Sequence, residues 1–161
     1  KVNWVTWSSV PTVSLTCAER EKYQLHRGDL LVTRMADPGK SAIYEDDRVA
    51  AVFASYLVRL EPRSYEEGLF IYGFLKSSMY MRYAAAAMSG SVQRNMNARI
   101  IVDTEFRWPT EATLVEFALE VGPLRDAIVA RVAESSKLNE IRRVFLSQLV
   151  SGSISVAIER L

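Results

Sequence analysis

Apolar residues recur at helical spacing in the last third of the chain, in a run over residues 125–149 that contains no Gly or Pro. This periodicity predicts a long helix with a narrow apolar seam. Gly122-Pro123 is predicted to set its start and Ser151-Gly152 its end. The seam consists of Ile128, Val132, Leu138, Ile141, Phe145 and Leu149.

A narrow seam on so long a helix favours pairing with a second helix. At roughly 1.5 Å per residue the helix reaches about 40 Å, longer than a domain of this size usually wraps. Polar residues 134–137 interrupt the seam, so the pattern does not predict a long ideal coiled coil. The alternative is the longest helix of a compact bundle, and periodicity alone does not decide between the two.

Shorter strand and helix patterns alternate upstream. Apolar runs predict strands at residues 30–34, 41–44, 49–60, with a candidate break near residues 54–55, and 99–106, and an extended or strand-like segment at residues 2–15. Helices are predicted at residues 18–24, 65–88 and 111–121, capped by Thr16, Ser64 and Thr110, with a candidate break at residues 76–78. Residues 45–48 are predicted to form a solvated loop. The expected fold is a mixed α/β (α+β) unit over residues 1–108, followed by a helical region over residues 109–161.

The composition allows one domain with a sizeable core, since 49% of the 161 residues are hydrophobic. The net charge is +1, so any surface that binds nucleic acid has to be local. Such a local excess occurs between residues 76 and 107, where five basic residues face two acidic ones. The basic residues are Lys76, Arg82, Arg94, Arg99 and Arg107, and the acidic ones are Asp103 and Glu105.

Catalytic patterns are weak in this sequence. It has one cysteine, Cys17, and one histidine, His26, and contains no P-loop, GxGxxG after a strand, or HExxH motif. We therefore expect a protein that is not an enzyme and needs neither a cofactor nor a metal ion. With no apolar run long enough to span a membrane and no signal-like N-terminus, we expect a cytoplasmic location. A start at Lys1, directly in strand-like sequence, predicts a fragment or a trimmed chain.

Residues 89–97 form a polar segment rich in amides. Gln and Asn can make bidentate contacts with adenine and Arg with guanine, so Gln93, Arg94 and Asn95 are candidates for contacts with base edges. Arg34, Lys40, Lys76, Arg82 and Arg99 are candidates for contacts with phosphate. The alternative is an ordinary polar loop whose amides satisfy its own turns.

Four stretches in order resemble the specificity subunit of type I restriction-modification enzymes, over about residues 19–154. They are GDLLVTR at 28–34 with a Gly-Lys turn after it, FLKSSMYMRYAAAAMSGSVQRNMNARII at 74–101, WPT at 108–110, and LNEIRRVFLSQLVSGSI at 138–154. The resemblance implies a target recognition domain for double-stranded DNA, followed by a spacer helix of antiparallel coiled-coil type. It also implies methyltransferase subunits as direct partners and a restriction subunit as an indirect one.

The chain departs from that family in carrying one recognition unit where a full subunit carries two. It is therefore expected to be either a fragment or a half-size subunit whose helix pairs with a second unit or a second copy. Residues 110–113 also replace a Glu-Gln pair that often leads into the family's helix. The rival hypothesis is a protein-interaction or oligomerisation module that uses the helix and does not bind DNA.

Overall fold

The computed structural model describes residues 7, 10–35, 37, 39–46, 48–88 and 96–155. A three-stranded antiparallel sheet packs with short helices, and a long helix follows, so the predicted mixed α+β class and the long C-terminal helix are confirmed. The elements are α1 (Cys17–Tyr23), β1 (Leu30–Thr33), β2 (Ser41–Ile43), β3 (Leu57–Leu60), α2 (Tyr65–Lys76), α3 (Ser78–Met88), α4 (Ala98–Val102) and α5 (Glu111–Val150).

The sheet has the order β2-β1-β3, with β1 in the centre. Leu30 pairs with Ile43 of β2 and with Leu60 of β3. Because side chains alternate along a strand, Leu30 and Val32 point to the same face, and both are fully buried. That face is covered by α2 and α3, and the core consists of Leu30, Val32, Ile43, Leu69, Leu75, Tyr80, Ala84, Met96 and Ile101.

Local capping signals locate four helix starts. Thr16 and Glu19 form the predicted capping box of α1, and the side chains of Ser64 and Thr110 accept hydrogen bonds from the first turns of α2 and α5. Ser77 has an extended backbone and separates α2 from α3, which confirms the candidate break at residues 76–78. Asn97 supplies a fourth cap, to α4.

Two strand predictions are wrong wholly or in part. Of residues 99–106, the first four lie in α4, because the Asn97 side chain accepts a hydrogen bond from the Ile100 amide at 2.9 Å and so begins a helix. Of residues 49–60, only Leu57–Leu60 form a strand, although Val52 makes an isolated bridge with Gln24. Residues 7 and 10–15 of the predicted N-terminal segment belong to no strand, and the rest of that segment lies outside the described residues.

The predicted start of the long helix at Gly122-Pro123 is also wrong. α5 runs through both residues as one helix of 40 residues, or about 60 Å at 1.5 Å per residue. Proline in a helix interior costs about 3 kcal/mol. Packing offsets that cost, because Phe117, Ala118 and Val121 lie against the core just before Pro123. The predicted end is confirmed: Gly152 has a φ of 73° and the Ser153 amide donates to the Gln148 carbonyl at 3.0 Å.

Candidate nucleic-acid interface and helix surface

The turn between β1 and β2 packs closely against α3 and against Met96, two residues before α4. Gly39 has a φ of 82°, and a Cβ atom built on it would lie 2.9 Å from the Ala84 Cβ and 3.8 Å from the Met96 sulfur. The Met96 amide donates a hydrogen bond to the Arg34 carbonyl at 3.0 Å. The turn, α3 and Met96 therefore form one corner of the fold, which we call the hairpin corner.

The predicted base-contacting residues Gln93, Arg94 and Asn95 lie outside the described residues. The chain on either side of them is described: α3 ends at Met88, and Met96 is fully buried at the hairpin corner. Two predicted phosphate contacts, Arg34 and Lys40, flank the turn at this corner. Met96, which follows Asn95, therefore lies next to the turn that Arg34 and Lys40 flank.

Three predicted phosphate contacts have exposed side chains. Lys40 forms an ion pair with Asp37 in the turn, and Arg99 lies 3.3 Å from Asp103, four residues along the chain. Arg82 is exposed on α3. Surface ion pairs contribute only about 0–1 kcal/mol, so the partners of Lys40 and Arg99 are weak competitors for a phosphate.

The other two predicted phosphate contacts are half-buried. Arg34 donates to the Ser55 carbonyl at 3.5 Å, and its Nε atom is buried without a hydrogen-bond partner in the described part of the chain. Lys76 donates to the Ser41 carbonyl at 2.5 Å and lies over the Tyr72 ring. Burial, and then the nearby Arg125, lower the pKa of Lys76. In this structure Lys76 joins α2 to β2, and its contact with phosphate stays a prediction.

The predicted helix-pairing residues fall into two groups. Ile128 and Val132 are half-buried and line an apolar cavity of about 470 Å³ between α5 and the side of the sheet that carries Leu31 and Ala42. The other four are exposed, by 39–59% of their surface. We call these four the distal stripe: Leu138, Ile141, Phe145 and Leu149.

The distal stripe faces away from the α+β unit. At about 100° per residue, its members fall within an arc of roughly 80° around the helix axis. The residues of α5 that pack on the unit, from Leu114 to Val132, centre on a direction about 130° away. This rotation explains why the seam did not continue in one register through residues 134–137. It leaves the stripe accessible to a second helix.

An ion pair that no sequence pattern predicted joins α5 to the segment after β2. The Arg125 guanidinium donates to both carboxylate oxygens of Glu45, at 3.0 Å and 2.5 Å, and the Tyr65 hydroxyl donates to the same carboxylate at 3.1 Å. Its side chains are nearly buried, with 4% of Glu45 and 13% of Arg125 exposed. Glu45 was predicted to lie in a solvated loop, which is wrong because it is covered by α5.

A second, exposed ion pair lies beside the first. Arg27 Nη2 is 2.6 Å from Asp126 Oδ1, and the Arg27 guanidinium also lies 4.5 Å from the centre of the Tyr65 ring. We call these four charged residues the clamp: Glu45 with Arg125, and Arg27 with Asp126. The hydrogen bonds that Arg125 donates to Glu45 raise the pKa of Arg125, which stabilises its charged form in the buried pair.

Among the described residues, no group of three or more His, Cys, Asp or Glu side chains could hold a metal ion. Cys17 is exposed on α1, and the backbone amide of His26 donates to Asp29 at 2.8 Å. Within the same residues, every helix is too short or too polar to cross a bilayer.

No model of a protein family matches the chain, and no characterised protein is significantly similar to it in sequence. Support for a function therefore comes from the order of the sequence motifs and from the geometry of the hairpin corner and α5.

Proposed function

We propose that the chain is a sequence-specific DNA recognition module of a type I restriction-modification system, which directs methyltransferase and restriction subunits to a split target without catalysing a reaction itself. One observation carries the proposal. An α+β unit is followed by a helix whose second half extends past the unit and exposes the distal stripe on the side facing away from it. This is the arrangement expected of a recognition domain with its spacer helix.

The dimensions of α5 support an antiparallel pair. The middle of the distal stripe lies about 17 Å beyond Val132, the last half-buried apolar residue that lines the cavity. An antiparallel pair centred on the stripe would separate the two Val132 residues by about 35 Å, close to the roughly 34 Å of one turn of B-DNA. Two recognition units joined in this way could each read one half of a split site on the same side of the duplex.

The hairpin corner is the proposed DNA-contacting surface. Gln93, Arg94 and Asn95 contact base edges, and each good bidentate pair contributes about 1–3 kcal/mol of discrimination against the wrong base. The contacts with phosphate come from Arg34, Lys40, Lys76, Arg82 and Arg99. The hydrogen bond from Met96 to Arg34 supports this assignment, because it joins the end of the amide-rich segment to the basic turn.

A helix-mediated interaction or oligomerisation module without DNA binding is the second candidate. It is favoured by the net charge of +1, and by the carboxylates that Lys40 and Arg99 already contact. The two functions differ in their response to salt. Binding through phosphate contacts weakens steeply as salt rises, whereas the pairing of apolar helix faces does not.

The test of the DNA-contacting surface is selection from a randomised duplex pool, followed by binding measurements with single variants. We expect Arg94→Ala to weaken binding to the selected site by about 1–3 kcal/mol and to relax the preference at one base position. Gln93→Ala should act similarly at a different position. If both variants kept the affinity and the sequence preference of the wild type, the assignment of residues 93–95 would be wrong.

Arg63→Ala is the matched control for these variants. Arg63 is an exposed arginine that follows β3, whose residue Leu60 pairs with Leu30 at the start of β1. Arg34 follows the other end of β1, so Arg63 lies at the end of the sheet opposite the hairpin corner. We expect Arg63→Ala to leave the sequence preference unchanged, which would separate contacts at the corner from a general loss of positive charge.

A further inference from the structure

α5 is held to the α+β unit at two successive places, and after them the half-buried Ile128 and Val132 line the cavity beside the sheet. The first is an apolar patch in which Phe117, Ala118 and Val121 pack on the core, and the Phe117 ring lies 6.0 Å from the Phe70 ring. The second is the clamp, one turn further along the helix at residues 125 and 126. Beyond residue 132 no side chain of α5 is buried or half-buried, apart from Ala133, in the described part of the chain.

A small change in the angle of α5 at the clamp is amplified along the free half of the helix, by which we mean the part beyond residue 132. About 37 Å of helix separate Arg125 from Val150 at 1.5 Å per residue. A tilt of about 10° at the clamp would therefore move the end of the helix by roughly 6 Å, nearly two base-pair steps of about 3.4 Å. A small change in the angle of α5 therefore displaces its C-terminal end by several ångströms.

The two attachments differ in how well they define that angle. The hydrophobic effect is non-directional and packed helices cross over a range of angles, so the patch defines the tilt of α5 less narrowly than a bidentate ion pair does. A bidentate arginine-carboxylate pair has a defined geometry, and here the Tyr65 hydroxyl and the Tyr72 ring, 5.0 Å from the Arg125 guanidinium, constrain it further. Buried ion pairs add little net stability compared with apolar residues of similar volume. Orientation is therefore the property that the clamp supplies.

We propose that Glu45 and Arg125, assisted by Arg27 and Asp126, are positioning residues that fix the direction of the free half of α5 relative to the α+β unit. The direction of the helix follows from the clamp whatever the unit binds. One consequence rests on the proposed function: the clamp would then set the separation between the two halves of the DNA target that a paired subunit accepts.

The direct test is a distance distribution between spin labels, measured by double electron-electron resonance. One label is attached at Ala85→Cys, exposed on α3, and the other at Ser147→Cys, on the side of α5 opposite the distal stripe, in a Cys17→Ser background. Dilution with unlabelled protein restricts the signal to distances within one chain. We expect a single narrow distribution for the protein with an intact clamp.

Removal of the buried pair should broaden that distribution. Glu45→Leu combined with Arg125→Met replaces the pair with apolar side chains of similar size, a change that proteins commonly tolerate. We expect the width to increase about twofold and the mean distance to shift by several ångströms. Arg125→Lys keeps the charge but loses the bidentate geometry, and should broaden the distribution by a smaller amount. Arg131→Met is the matched control, because it removes an exposed pair with Glu134 on the same helix, and should change nothing.

An unchanged distribution in a folded double variant would overturn the proposal and assign the direction of α5 to its apolar contacts, those of the patch and of Ile128 and Val132. If the double variant did not fold, the same distances would be measured in Arg125→Lys and in the exposed Asp126→Asn. A broadened distribution would support the proposal, and an unchanged one in both variants would overturn it. These measurements contain no DNA. A clamp-dependent helix in a protein that does not bind DNA would therefore refute the proposed function while supporting the positioning role.

Discussion

Replacing Gly39 with alanine tests the packing of the hairpin corner, on which the proposed DNA-contacting surface depends. Gly39 has a φ of 82°, where an alanine is disfavoured by about 1–2 kcal/mol. Its new Cβ would also lie 2.9 Å from the Ala84 Cβ, and overpacking of this kind costs about 1–3 kcal/mol. We therefore expect Gly39→Ala to lower the free energy of unfolding by about 2–5 kcal/mol.

Two further variants separate these contributions. Gly28 also has a positive φ, of 97°, but its added Cβ would lie 3.5 Å from Tyr65, an ordinary contact. Gly28→Ala should therefore show the backbone cost alone, about 1–2 kcal/mol. Ala84→Gly, introduced into Gly39→Ala, removes the opposing methyl group and should recover most of the steric part.

The assay is urea unfolding followed by circular dichroism at one fixed protein concentration. A double-mutant cycle over Gly39 and Ala84 should give a coupling energy of about 1–3 kcal/mol. Additive effects, within about 0.5 kcal/mol, would show that the turn does not contact α3 and would refute the described corner.

Three further predictions concern the core, the cap of α5 and helix pairing. Tyr80 is fully buried, its hydroxyl has no hydrogen-bond partner among the described residues, and burial raises its pKa to about 12. Because the unfolded side chain ionises near pH 10, this residue destabilises the fold as the pH rises from about 10 to about 12, and Tyr80→Phe should abolish that loss in urea unfolding at high pH. Thr110→Ala removes the α5 cap and should lower the free energy of unfolding by about 1 kcal/mol; an unchanged value would show that the cap is dispensable. Ile141→Asp and Phe145→Asp should convert a dimer to a monomer in light scattering, whereas Leu119→Asp, at a position 71% exposed outside the stripe, should not; an unchanged mass in all three would rule out pairing through the stripe.

The parts of the fold that could be predicted were those encoded by a few neighbouring residues. The caps at Thr16, Ser64 and Thr110 and the break at Ser77 were all read correctly, because a side chain that accepts a hydrogen bond from an amide three residues on acts locally. The strand after the Gly39 turn was predicted for the same reason, since a glycine with positive φ ends one strand before the next begins.

The errors arose where distant residues determine the outcome. Gly and Pro at residues 122–123 normally end a helix, but the packing of Phe117 and Val121 on the core carries α5 through them. Residues 99–106 are an exception: they are apolar enough for a strand, but the local cap Asn97 begins a helix there. Glu45 pairs with Arg125, which is 80 positions away, and no local sequence pattern predicts such a contact.

The predicted helix-pairing residues likewise include some whose surroundings could be predicted locally and some whose surroundings could not. The exposure of Leu138, Ile141, Phe145 and Leu149 agrees with what their spacing predicted for an unpartnered seam, although pairing itself stays a prediction. Ile128 and Val132 fit the same spacing but face the cavity, because the side of α5 that packs on the unit is rotated from the distal stripe. Only the tertiary structure could separate the two groups.

The most direct test of DNA recognition combines two measurements on the unmodified chain: its mass by light scattering, and its selection of sites from a randomised duplex pool at low and at moderate salt. We predict a dimer that enriches a symmetric split sequence, with half-sites about one turn of DNA apart, and whose affinity falls steeply as salt is added. A dimer that enriches no sequence and whose assembly is indifferent to salt would contradict DNA recognition and favour the interaction module.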